Sequence, residues 1–182
     1  LKIGTNGWVS GVSRHISPNF DARPPGVAVD LLVIHNITLP PGEFGGQAIM
    51  RLFSNELDTE EHPYYAQLKG MRVSAHFLIQ RQGEIVQFVS CSKRAWHAGA
   101  STWRERTACN DFSVGVELEG TDILPFSDRQ YTSLIRLTRA LRRAYPIRAI
   151  VGHSDIAPGR KTDPGHQFDW PRYLAKCGPI RA

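Results

Sequence analysis

Cysteine is scarce in this 182-residue chain. Cys91, Cys109 and Cys177 make an odd set of three, and no CxxC pair occurs. That excludes a disulfide framework and favours a reducing compartment. No apolar run approaches the roughly 18–20 residues that a bilayer-spanning helix needs, so no membrane partner is expected. The opening stretch LKIGTNGW has no apolar signal core, and it has no initiator Met, as if trimmed. With the cysteines, this points to the cytoplasm. Walker, GxGxxG and GxSxG patterns are missing, which sets aside the usual nucleotide-binding and serine-hydrolase readings. Internal repeats, low-complexity tracts and a linker are missing too, so one domain over residues 1–182 is expected, with an irregular lead-in over about 1–28.

What is present suits a soluble globular protein. Hydrophobic residues make up 41% and charged residues 21%, enough apolar material for a core. The net charge of +5 admits a nucleic acid, an anionic surface or an acidic small substrate, or solubility alone. Arg136, Arg139, Arg142, Arg143 and Arg148 are spaced for the wet side of a helix. No aromatic-interleaved basic motif accompanies them, so no nucleic-acid partner is expected.

Periodicity outlines a mixed α/β fold, a central mixed β-sheet flanked by helices. Asp30–His35 (DLLVIH) is a continuous apolar run, the mark of a strand covered on both faces. Ile37–Gly46 reads as a loop, Gln47–Phe53 as weakly helical, and Asp58–Lys69 as irregular. Ala75–Gln80 and Glu84–Ser90 read as a hairpin around Arg81-Gln82-Gly83. Ser113–Glu119 alternates: Val114, Val116 and Leu118 face one way, and Ser113, Gly115, Glu117 and Glu119 the other. Asp128–Tyr145 has a helical apolar stripe, a Ser127/Gln130 capping box and Pro146 as a stop. Ala149–His153 reads as a short strand, and Trp170–Lys176 as a last helix with Gly178 beyond it.

Three residues mark the chemistry. His35 and His153 each close an apolar strand, and Asp163 follows in KTDPG. Two imidazoles and a carboxylate form a three-ligand zinc set with a fourth position open to water. The competing reading is two hydrogen-bonded core histidines and an ordinary Asp-Pro-Gly turn. Glu117, on the polar side of its strand, suits a proton acceptor near such a site. Glu119 shares its face, and the pattern does not separate the two from each other or from solvated acids. Lys161, two residues from Asp163, suits an oxyanion partner or a surface lysine. His76 is as consistent with structure as with function. His97, beside Trp96, suits a cleft wall or a packed corner. His15, His62 and His166 read as surface residues. Cys109 with His97 offers a thiol nucleophile as a minor reading against a buried apolar filler.

Five blocks carry a resemblance: LLVIHNITLPPGEFGG, HPYYAQLKGMRVSAHFLI, GEIVQFVSCSKRAWHAG, CNDFSVGVELEGTD and GHSDIAPGRKTDPG. In order, from about Trp8 to about Tyr173, they resemble the 1,6-anhydro-N-acetylmuramoyl-L-alanine amidases of the amidase-2 family. That family is related in fold to peptidoglycan recognition proteins and the lysozyme of phage T7. The resemblance implies this amidase fold and one catalytic Zn2+ held by His35, His153 and Asp163. It implies Glu117 as acid/base and Lys161 at the oxyanion. Asn36, Ala95, Trp96 and His97 would line the groove, and Arg72 would meet the acidic stem peptide. Family members often carry an Arg before CND. Ala108 stands there in this chain, with Arg104 and Arg106 nearby to meet the diaminopimelate carboxylate, and Arg106 is included among the expected substrate contacts. The implied role is cytoplasmic recycling of a small anionic muropeptide by a monomer. The alternatives are a periplasmic amidase on polymeric peptidoglycan and a muropeptide-binding module without catalysis.

Overall fold

Apolar runs bounded by Pro and Gly become short strands, and a computed structural model describes how residues 1–177 assemble them. Strands β1 (Ser13–Arg14), β2 (Phe20–Ala22) and β3 (Leu31–Ile37) precede helix α1 (Ala48–Ser54). Then come β4 (Phe77–Ile79), β5 (Ile85–Gln87), β6 (Lys93–Ala95), β7 (Thr102–Trp103), β8 (Arg106–Thr107) and β9 (Ser113–Glu119). Helix α2 (Asp128–Ala144), β10 (Ala149–Gly152), α3 (His153–Ile156) and α4 (Trp170–Cys177) follow. The main sheet has the order β1-β5-β4-β9-β3-β10. β4, β9, β3 and β10 run parallel, and β5 returns antiparallel to β4 through the expected hairpin.

The central position of β9 changes one expectation. All seven of its residues are buried, including both glutamates, so its polar face is covered rather than solvated. The alternation itself holds. Val114, Val116 and Leu118 join Leu32 and Ile34 in a core with Leu134, Leu137 and Leu141 of α2. Leu31 and Val33 pack on the other face with Phe112, Val151 and Ile156. Helix α2 starts as its sequence predicts. Ser127 Oγ accepts the Gln130 N–H, and Gln130 Oε1 accepts the Ser127 N–H, a cap worth about 1 kcal/mol.

Other expectations are corrected. The lead-in is not wholly irregular, because β1 pairs with β5 and β2 with β6. Pro63–Leu68 within the supposedly irregular 58–69 is a 3-10 helix, its first turn capped by His62 Nδ1 accepting from the Tyr64 N–H. His153 does not end a strand; it begins α3. The arginines of α2 are not merely solvated. Arg139 and Arg142 donate to the carbonyls of Lys176 and Cys177, satisfying the open end of α4. Gly178 lies outside the described residues. No helix among the described residues is long and apolar enough to cross a membrane.

Candidate active site

Strand parity and register bring the site together. His35 falls on the same face as Leu31 and Val33, near the C-terminal end of β3, and Glu117 of β9 is its register partner. Gly152 pairs with Ile34, so His153 emerges beside His35. Gly152 has a second use: a Cβ there would stand 2.7 Å from Pro164 Cδ. Without one, the KTDPG loop docks on the start of α3, and the Ser154 N–H donates to the Asp163 carbonyl (3.0 Å). Parallel strands ending together at such a rim are a common location for ligand chemistry.

His35 Nδ1, His153 Nδ1 and Asp163 Oδ2 form a triangle with edges of 3.0, 3.0 and 3.1 Å. Tetrahedral zinc with bonds of about 2.0 Å spaces its ligands about 3.3 Å apart, so the group has the size and donor chemistry to hold a metal ion. His153 Nε2 lies 3.1 Å from the Ala98 carbonyl. A carbonyl only accepts, so Nε2 bears the proton and the Nδ1 lone pair is free to face the triangle. Both histidines are buried, and Asp163 is 15% exposed. Burial draws His35 down to about 4, against the pull of Asp163. Desolvation pushes Asp163 up, but its bonds to His153 and His35 outweigh it and hold the carboxyl well below the usual range.

Glu117 and Glu119 now part company. Glu119 is saturated: its oxygens accept the N–H groups of Gly45 (2.6 Å) and Arg81 (2.9 Å). Glu117 is buried, yet its Oε2 has no hydrogen-bond partner among the described residues. Burial, then the charge of Asp163, push its carboxyl well above the ordinary value, with Lys161 opposing. Glu117, Lys161 and the triad share one cleft of about 420 Å3, whose apolar wall includes Leu52, Phe53, Leu68 and Met71.

The other expected contacts divide. Asn36 and Trp96 line this cleft, and Asn36 Nδ2 donates to Asp122 Oδ1 (2.7 Å). His97 lines it too, but its ring is bonded at both nitrogens, with Nδ1 2.9 Å from His35 Nε2 and Nε2 3.0 Å from Ser113 Oγ. Ala95 does not line it. It is fully buried in β6 against the α1 side of the core, because β6 turns its apolar residue inward. Arg72 is exposed and faces a smaller neighbouring hollow. Arg106 lies at the far end of β3, paired with Asp30 (2.8 Å) and stacked on Phe112; the turn between β7 and β8 carries it away from His35. Arg104, with φ of 55°, lies over Trp103 in the same remote place. His76 is structural: it is buried, and its Nδ1 accepts the Gly115 N–H (3.0 Å). Cys109 is buried, and burial raises its thiol, which removes the nucleophile reading.

Sequence reasoning missed the scaffold behind the triad. Asn110 Oδ1 accepts the N–H groups of His97 (3.1 Å) and Ala98 (2.8 Å). Arg23 reaches in from the lead-in and donates to the carbonyls of Asn110, Asp111, Ser113 and Cys91. One signal was legible: Gly115, a glycine inside a strand, which marks a close approach. A Cβ there would stand 2.4 Å from the His97 ring.

Comparison with known proteins agrees with this geometry. Residues 25–166 match the family described as N-acetylmuramoyl-L-alanine amidase, Amidase_2. The chain is 54% identical over 169 residues to the 1,6-anhydro-N-acetylmuramyl-L-alanine amidase AmpD of Escherichia coli K12, covering 92% of each chain. A crystal structure of a Se-Met AmpD derivative superposes with a TM-score of 0.94 at 52% identity, over 97% of this chain and 99% of that one. The amidase AmiD from E. coli, in complex with the substrate anhydro-N-acetylmuramic acid-L-Ala-D-gamma-Glu-L-Lys, superposes with a TM-score of 0.61 at 27% identity. That likeness covers 99% of this chain and 66% of AmiD. With the match over residues 25–166 taking in all three members of the triad, this chain belongs to the N-acetylmuramoyl-L-alanine amidase family.

Proposed function

We propose that this protein is a zinc-dependent amidase that hydrolyses the bond between the lactyl group of 1,6-anhydro-N-acetylmuramic acid and L-alanine. It acts as a one-domain, cytoplasmic monomer on a small anionic muropeptide in cell-wall recycling. The observation that carries the reading is the buried Glu117, whose Oε2 has no partner among the described residues, in the same cleft as His35, His153 and Asp163. The names of the relatives in the comparison support the substrate class.

His35, His153 and Asp163 would hold the zinc ion, which when bound polarises the amide carbonyl and acidifies water. Glu117 takes a proton from the attacking water as the water oxygen adds to the carbonyl carbon. Its raised proton affinity suits it to keep that proton until the next step. It then gives the proton to the alanine nitrogen as the C–N bond breaks, leaving a lactyl carboxylate and a free amino group. Lys161 faces the developing oxyanion with its ammonium group. Asn36 and Trp96 line the path of the substrate, and the net charge of +5 favours its approach.

Metal content and product mass test this reading together. The expected result is one zinc per chain and cleavage at the lactyl–alanine bond, lost with a chelator and restored by zinc. Retention of intact muropeptide without product would make the protein a binding module. Equal turnover of intact sacculi would make polymeric peptidoglycan the substrate.

A further inference from the structure

The outer nitrogens of both triad imidazoles meet the same two residues. His153 Nε2 donates to the Ala98 carbonyl (3.1 Å), and His35 Nε2 lies 2.9 Å from His97 Nδ1. Asn110 holds that dipeptide by accepting both of its N–H groups on one oxygen. The Ala98 carbonyl also accepts from Arg160 (2.7 Å), which bonds the Ala100 carbonyl (2.6 Å) as well. The ring of His97 lies over Gly115, and Ser113 Oγ meets its Nε2.

A neutral imidazole carries one proton, and the partner of one nitrogen decides which nitrogen is left as a lone pair. The Ala98 carbonyl fixes this for His153. For His35 the distances admit either direction of donation, because the Ser113 hydroxyl can give or take a proton; a metal ligand at Nδ1 selects donation from His35 Nε2 to His97 Nδ1, and from His97 Nε2 to Ser113 Oγ. Both Nδ1 lone pairs then face Asp163. Neither ring can turn without moving His97–Ala98, and Asn110 keeps that dipeptide in place.

We propose that Asn110 is a positioning residue that, through His97 and the Ala98 carbonyl, imposes the Nε2–H tautomer on both metal-site histidines at once. This rests on the metal reading of the site given above. The roles are distinct: Asn110 does not line the cleft, and His97, at its wall, supports a ligand with a ring bonded at both nitrogens.

The test uses the zinc-loaded full chain, with zinc affinity measured by chelator competition and the imidazole nitrogens observed by 15N NMR. Asn110→Ala should weaken zinc 10- to 100-fold, the usual effect of removing an outer partner of a ligand. It should also give His35 and His153 mixed tautomer signals. Asn110→Asp keeps an acceptor oxygen and should recover most of the affinity. His97→Leu should weaken zinc, and His97→Asn, whose Oδ1 can stand where Nδ1 stood, should restore it. If Asn110→Ala does not fold, the His97 pair decides. Zinc affinity within twofold of wild type in a folded Asn110→Ala, no difference between the two His97 variants, or Nδ1-protonated histidines in the loaded wild type would each overturn the proposal. A wild type that binds no zinc would overturn the functional reading with it, which separates the two failures.

Discussion

On the face of the sheet covered by α2, Leu32, Ile34, Val114 and Val116 meet Leu134, Leu137 and Leu141, and the few polar groups are matched. Thr138 and Tyr173 share a hydrogen bond of 2.6 Å, and Gln130 Nε2 donates to the carbonyls of Ile79 and Glu119. On the opposite face the same strands begin with Leu31 and Val33 but end with His35 and Glu117, under loops and the short helix α1. One long amphipathic helix can seal its face completely. Irregular chain leaves a cleft, and there a carboxylate can stay buried without a partner. That is a cost to stability which only a ligand or a reaction explains. Parity along β3 and β9, not distance along the chain, divides packing from the cleft.

Substitutions on the two faces should therefore fail in different ways. Glu117→Ala should lower kcat on anhydro-muropeptide by about 100- to 10,000-fold while its zinc content, measured on the same sample, stays at the wild-type level. A Glu117→Ala enzyme with normal turnover would erase the contrast between the faces. Leu137→Ala, on the sealed face, should cost about 2–5 kcal/mol in urea unfolding and leave kcat per folded molecule unchanged. Glu119→Ala sharpens the comparison within one face. It strands the N–H groups of Gly45 and Arg81, so a loss of about 1–3 kcal/mol of stability is expected, with zinc binding intact.

The sequence made the strands legible because burial writes itself as apolar runs, and it made the parity of β9 legible because side chains alternate. His35 and Glu117 could be put on strands on that basis, whereas Asp163 was picked out by the KTDPG turn after His153 and by the family resemblance. Alternation alone did not tell Glu117 from Glu119, and only the family resemblance chose Glu117, since the difference lies in the backbone N–H groups of residues 45 and 81, which reach Glu119. Arg72 and Ala95 were expected at the cleft by their place in matching blocks, and Arg106 by its nearness to Ala108, where family members often carry an Arg. Where each lies depends on turns such as the one joining β7 and β8, whose direction is set by packing that a linear pattern does not carry. The support from Asn110 and Arg23 was invisible for the same reason: it consists of side chains bonding to main-chain groups far along the chain.

Arg23 gives the first part of the chain a weight its composition does not suggest. Its guanidinium gathers the carbonyls of Asn110, Asp111 and Ser113, within and just after the turn that holds Asn110. A protease nick or an engineered deletion that removed this tether would loosen the histidines from behind without touching any cleft residue. Damage around Arg23, remote from the cleft, would then register as weaker metal binding.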